Sequence, residues 1–254
     1  MDRIDVCGVP FFNTTVDGAV DEAMRLIATG KPGYVVTPNA EIMQEALEND
    51  DVKTVLLGAS IVLPDGIGVV KAASILGRPL KGKVAGIEFG EALAERFAKT
   101  GNRLYLFGGK PGIAEMAAQK LIEKHPGLNI CGTADGYFKD DSERLPDILK
   151  KKPDALFVCL GAPKQELWMS KHVNDLNGTL MVGLGGSLDG YAGVVKRAPK
   201  IFVKLGLEWF YRLICQPWRL GRMMRLPKFL VSAKKYAKAE KRSNCPGSRK
   251  EKRK

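Results

Sequence analysis

The feature that most constrains this chain is an alternation of short, continuously apolar runs with segments of helical periodicity, repeated from the N-terminus to about residue 185. The apolar runs are Ile4–Val9, Tyr34–Thr37, Ser60–Leu63, Arg103–Phe107, Asn129–Thr133, Ala155–Leu160 and Thr179–Gly183. Most lack the in–out alternation of a strand with one wet face, so they read as strands buried on both sides. Between them, helices are expected over Val16–Thr29, Glu41–Asn49, Gly66–Leu76, Ile87–Thr100, Ile113–Lys124, Ser142–Lys150 and Gln165–Val173. Several are followed by a glycine, the residue that ends a helix in the left-handed conformation without strain. The pattern implies an α/β fold, a Rossmann-like and mostly parallel sheet with helices on both faces.

Charge divides the chain. Residues 196–254 hold 19 Lys and Arg against 3 Asp and Glu, a balance of +16, whereas residues 1–195 stand at −4. The division gives an α/β domain over 1–195, a basic amphipathic helical appendage over 196–233, and a low-complexity, disordered basic tail over 234–254. In the appendage, Trp209, Phe210, Leu213, Ile214, Trp218 and Phe229 are interspersed with Arg212, Arg219, Arg222 and Arg225. Rings and cations mixed in this way suit a bilayer interface carrying anionic headgroups. The alternative is a helical hairpin packed on the domain with a solvated basic face.

Other classes are disfavoured. Five scattered cysteines without a C-x-x-C pair do not make a zinc site, and Cys7, Cys131 and Cys159 read as buried free thiols. His125 and His172, near helix ends on polar faces, have no metal-binding spacing, and no Asp-x-Asp triplet occurs, so neither a metal nor a cofactor is expected. The N-terminus does not resemble a signal peptide and no apolar run is long enough to span a bilayer. The protein is therefore expected in the cytoplasm, peripheral on the inner face of the membrane. A homo-oligomer is left open.

Ligands of open parallel sheets bind beyond the carboxyl ends of the strands. There this chain carries Thr37-Pro38-Asn39, Pro64-Asp65-Gly66, Gly108-Gly109-Lys110-Pro111-Gly112, Asp135-Gly136-Tyr137, Gly161-Ala162-Pro163-Lys164-Gln165-Glu166 and Gly185-Gly186-Ser187. Asp65, on a tight turn, is placed to take a proton from an incoming hydroxyl, or to cap the helix that follows. Thr37 and Asn39 offer hydroxyl and amide groups to a sugar or base, or cap the helix from Glu41. Gly108 and Gly109 either present backbone N–H groups to a phosphate or make a plain tight turn. Gln165 and Glu166 either face a ligand or supply first-turn helix electrostatics.

Taken in register, Val36–Glu41, Leu63–Gly66, Leu106–Gly109, Gly161–Glu166, Gly183–Ser187 and Lys196–Pro199 resemble the motifs of the WecG/TagA/CpsF family over nearly the whole chain. The resemblance implies an inverting, UDP-sugar-dependent glycosyltransferase acting on an undecaprenyl-diphosphate-linked sugar. The family's best-known activity moves N-acetylmannosamine onto lipid-linked N-acetylglucosamine for wall teichoic acid linkage units; other members serve capsule or enterobacterial antigen assembly. It further implies Asp65 as catalytic base, Thr37 and Asn39 in the donor pocket, and Gln165 on the nucleotide. The tail arginines would cover the diphosphate, with Lys83 where the family usually has arginine, a change that keeps charge and loses the bidentate fork. A nucleic-acid-binding protein using the basic tail is the alternative of a different class. Its aromatic residues would then be expected on strands rather than in helical segments, so no nucleic-acid partner is expected. A dinucleotide oxidoreductase lacks its glycine fingerprint here.

Overall fold

The computed structural model describes residues 2–195, the isolated positions 199, 202, 210 and 221, and residues 224–243. Six strands form one all-parallel sheet: β3 (Gly33–Val36), β4 (Ile61–Val62), β5 (Arg103–Gly108), β6 (Asn129–Ala134), β7 (Ala155–Cys159) and β8 (Leu180–Gly183), in spatial order β4-β3-β8-β7-β5-β6. The expected fold class stands. The first apolar run behaves otherwise: β1 (Arg3–Val6) and β2 (Val9–Phe12) form a separate antiparallel hairpin. Cys7 and Gly8, with φ of 55° and 83°, make its two-residue turn, and the Gly8 N–H donates to Asp5 Oδ1. An unbroken apolar run hides such a turn.

Successive strand residues point to opposite faces, and each face has its own core. Tyr105, Phe107, Leu156 and Val158 pack under helices α2 (Ala40–Glu48), α3 (Asp50–Gly58), α4 (Ile67–Ile75), α7 (Leu145–Lys151) and α8 (Lys164–His172). Leu104, Leu106, Phe157 and Val182 pack under α1 (Val16–Thr29), α5 (Gly86–Thr100), α6 (Ile113–Lys124) and α9 (Ser187–Tyr191). Sequence periodicity misses two of these helices. Asn49 ends α2 and its side chain also caps α3 by accepting from Asp51 N–H, so the two helices adjoin without a loop. The helix α9 is five residues long, too short to show a period.

A last helix, α10 (Arg225–Ser243), lies across α2 and α4, with Phe229 and Ala233 fully buried in the first core. Residues 234–243, expected to be disordered, continue this helix. Glu240 holds Arg78 through both carboxylate oxygens at 2.8 and 2.9 Å, and half-buried Tyr236 packs against the core. Low complexity did not reveal these inward-facing contacts. Trp209, Trp218, Arg212, Arg219 and Arg222 lie outside the described residues. No helix among the described residues is long and apolar enough to cross a membrane.

Candidate active site

Because the six strands are parallel, all their carboxyl ends open on one edge of the sheet. At the β3–β4 end the ladder runs on past the strands. Leu63 N–H donates to Val36 C=O at 2.9 Å and Asp65 N–H to Pro38 C=O at 3.3 Å. On the other side Val84 N–H donates to Pro64 C=O at 2.8 Å, so the half-buried Asp65 sits on a turn braced from both flanks. Lys83 enters the same neighbourhood as the residue before Val84. The N-cap of α4 is Gly66, without a side-chain cap, so Asp65 is not its N-cap residue. Asn39 does cap: its Oδ1 accepts from Glu41 and Ile42 N–H at 2.9 and 3.1 Å, which uses only the oxygen end of the amide.

A buried polar layer underlies the β3–β8–β7 edge. Thr37 Oγ1 donates to Gly183 C=O at 2.8 Å, and Gly86, where α5 begins, would place a Cβ only 3.0 Å from that hydroxyl. Gln165, 2% exposed, accepts from Gly185 N–H through Oε1 at 2.9 Å and donates through Nε2 to Glu166 Oε1 at 2.8 Å. Gly183 is closely packed: a Cβ there would lie 2.7 Å from the Met169 methyl and 3.1 Å from the Gln165 amide, so either side chain would have to shift. Glu166 is 1% exposed, and burial pushes its carboxyl pKa up. Glu166 thus occupies the first turn of α8 as a buried side chain.

On the far side of the edge, Gly108 passes so close to β7 that a Cβ would lie 2.3 Å from Cys159 C=O. The Gly109 N–H donates to that carbonyl at 3.2 Å, and Gly109 C=O accepts from Gly136 N–H at 2.9 Å. The Gly109 amide thus belongs to the fold, as the tight-turn alternative has it, and not to a phosphate cradle. Cys159, buried beneath, is a thiol with its pKa pushed up by desolvation to about 12. Of the other two described cysteines, Cys7 is buried and Cys131 only half-buried, so the expectation of burial fails for Cys131, which lies on the edge strand β6.

Tyr137 is 62% exposed and borders an open groove of about 640 Å³ with Phe138, Glu143, Leu160 and Lys164. Lys164 Nζ stands 4.2 Å above the Phe138 ring. The backbone beneath Tyr137 is fixed: its N–H donates to Asp135 Oδ1 at 2.8 Å, and Arg144 Nη2 reaches both Tyr137 C=O and the Asp135 carboxylate at 3.1 Å. Next to it, Asp141 accepts from Trp168 Nε1 at 2.8 Å, from Lys171, and faces His172 Nε2 at 3.0 Å. Partial burial opposes its charge, but Lys171, the facing His172 ring and the Trp168 N–H outweigh that and bring the carboxyl down to about 2. His172 is therefore not on a polar face: it is 4% exposed, with Asp175 at 2.7 Å on Nδ1 and the Trp168 ring at 4.8 Å.

The family model for the WecG/TagA/CpsF glycosyl transferases matches residues 4–243. The chain belongs to this family. A transferase of Bacillus spizizenii is 36% identical over 217 residues, covering 85% of this chain and 84% of its own. One of Bacillus subtilis is 34% identical over 234 residues (92% and 91% of the two chains), and one of Staphylococcus aureus is 34% identical over 243 (94% of each). All three are named N-acetylglucosaminyldiphosphoundecaprenol N-acetyl-beta-D-mannosaminyltransferase. Neither nucleic-acid binding nor dinucleotide oxidoreduction is the class of this family.

In this glycosyltransferase the candidate residues fall into three groups. Thr37, Asn39, Asp65 and Lys83 share the β3–β4 end, and Gln165 joins them through the Gly183–Gly185 segment. Gly108, Gly109 and Tyr137 stand at the β5–β6 end. Arg225 makes the third, ion-paired with Glu45 on α2 at the start of the last helix. Sequence reasoning missed Arg144 and Asp141, which build the wall carrying Tyr137. Nothing in their spacing marks them, because both act across a loop on partners that only the fold supplies.

Proposed function

We propose that this glycosyltransferase moves N-acetylmannosamine from UDP-N-acetylmannosamine to undecaprenyl-diphosphate-linked N-acetylglucosamine, with inversion, in wall teichoic acid linkage-unit synthesis. The observation that carries the reading is the braced Pro64-Asp65-Gly66 turn, which puts a half-buried acidic residue just past β4, at the strand ends where such sheets bind ligands. The names of the relatives supply the sugar and the acceptor.

In this reading an acceptor hydroxyl attacks the anomeric carbon of the donor. Asp65 takes the hydroxyl proton as the new C–O bond forms, and the bond from the anomeric carbon to the diphosphate breaks, releasing UDP. Thr37, Asn39 and Gln165 orient the donor. Lys83, with Arg212, Arg219 and Arg222, neutralises the departing diphosphate without a metal ion, as clustered cations do where charge develops. Arg225 instead anchors the appendage. The enzyme works peripherally on the inner face of the membrane, where its lipid-linked acceptor resides and where basic residues contribute about 1 kcal/mol each toward an anionic surface.

The test is an assay of several UDP-sugars with a short-chain lipid-diphosphate N-acetylglucosamine acceptor. UDP-N-acetylmannosamine should be the preferred donor and the product linkage β. Preference for another UDP-sugar would move the enzyme to capsule or exopolysaccharide assembly within the same family.

A further inference from the structure

Glu166 lies in the first turn of α8 with its Oε2 lacking a hydrogen-bond partner among the described residues. A charged carboxylate is disfavoured in so dry a place, in keeping with the upward push of burial on its pKa. Its other oxygen accepts from Gln165 Nε2 at 2.8 Å.

The network determines which way the Gln165 amide points. Gly185 N–H can only donate, so the atom facing it at 2.9 Å must be the amide oxygen. The NH₂ group then faces Glu166, which must accept. Were the amide reversed, its NH₂ and the Gly185 N–H would be two donors opposed. Gly185, with φ of +56°, begins the turn that leads through Gly186 into α9, and the strand residue Gly183 just before it takes the Thr37 hydroxyl. One buried carboxyl group thus sets the backbone of the β8 turn from beneath.

We propose that Glu166 is a positioning residue of the transfer reaction: it fixes the Gln165 amide, and through it the Gly185 turn, as the floor of the donor crevice. This rests on the reading of Gln165 and Thr37 as part of the donor pocket. Asp65 stands on the turn after β4, which has braces of its own at Pro38 and Val84, so loss of the prop should weaken donor binding and spare the chemical step.

The experiment compares Glu166→Gln, which keeps an accepting oxygen without charge, with Glu166→Met, which keeps length and volume and removes the acceptor. Amide hydrogen exchange at Gly185, read on the ligand-free protein, should be slow in the wild type and Glu166→Gln and at least roughly tenfold faster in Glu166→Met. Loss of one buried hydrogen bond of this kind predicts a KM for the UDP-sugar raised roughly tenfold in Glu166→Met, with kcat within about twofold. Glu166→Gln should stay within about twofold of wild type in both constants. Unchanged exchange at Gly185 in Glu166→Met would overturn the proposal, as would a fall in kcat in place of a rise in KM, or equal damage from the two substitutions. If the wild type transfers no sugar from any UDP donor, the reading of the reaction fails, while Gly185 exchange still reports whether the prop exists.

Discussion

Arg225, the first residue of α10, is ion-paired with Glu45 in the middle of α2. One turn further on, Lys228 pairs with Glu48 at 2.5 Å, and Glu48 also accepts from Gln44 Nε2 at 2.7 Å. These pairs flank the apolar seat of the helix, where Leu226 packs over Gly68 so tightly that a Cβ on that glycine would lie 2.5 Å from it. Gly68 follows the Asp65 turn by three residues, so α10 begins beside the proposed catalytic base.

An anchoring role for Arg225 predicts that its contribution is pairwise. Arg225→Glu and Glu45→Arg should each weaken the docking of α10, and the double reversal should restore it. Pairs this exposed are worth roughly 0.2–1 kcal/mol, so a double-mutant cycle on unfolding free energy should return a coupling in that range. Zero coupling together with a large loss of kcat in Arg225→Ala would return this arginine to the diphosphate.

Asp65→Asn should lower kcat by roughly 10²–10⁴, the usual cost of losing a general base. The turn is held by backbone bonds to Pro38 and Val84, which the substitution leaves intact, so UDP affinity and melting temperature should change little. Retention of most of the turnover in calorimetric or radiochemical assays would remove Asp65 from the chemistry.

Acid should reveal the Asp141 hub. Its folded pKa of about 2 lies below the ordinary value of 3.8, so the stability it contributes is present above the latter and is lost as pH falls through the former. Asp141→Asn should therefore be less stable than wild type at neutral pH, with the difference shrinking across that acid interval. Glu166 runs the other way: its raised pKa makes wild-type stability fall as pH rises above the ordinary carboxyl range, a dependence that Glu166→Gln should abolish. Chemical denaturation at several pH values separates the two slopes.

Transfer should persist after exhaustive EDTA treatment, since cationic side chains are assigned the neutralisation of the diphosphate. Loss of activity restored by magnesium or manganese would require a cation in the donor pocket.

Much of the architecture was legible because strands buried on both faces are written as unbroken apolar runs: β3, β5, β6, β7 and β8 lie within a residue or two of the apolar runs. The same rule concealed the Cys7–Gly8 turn, which is made of residues as apolar as its flanks. The glycines and polar residues at the strand ends were visible as candidates. Which of them face a ligand and which hold the floor was not, since the burial of Gln165 and His172 depends on neighbours more than a dozen residues away, Gly185 for one and Asp141 for the other. Phe229 was visible in the appendage, but the later part of the inward face of α10 escaped for another reason: Ala233 and Tyr236 are sparse among lysines, and composition averages them away.

The spatial order of the sheet has a consequence for biosynthesis. Its two central strands, β8 and β7, are the last to leave the ribosome, yet they alone join the β3–β4 pair to the β5–β6 pair. Until Gly183 emerges, the nascent chain carries two half-sheets with open edges, and vectorial folding from the N-terminus can stabilise neither. Chains arrested before Leu180 should therefore be cut readily by proteases and held by chaperones, with resistance appearing abruptly once β8 and α9 have been synthesised.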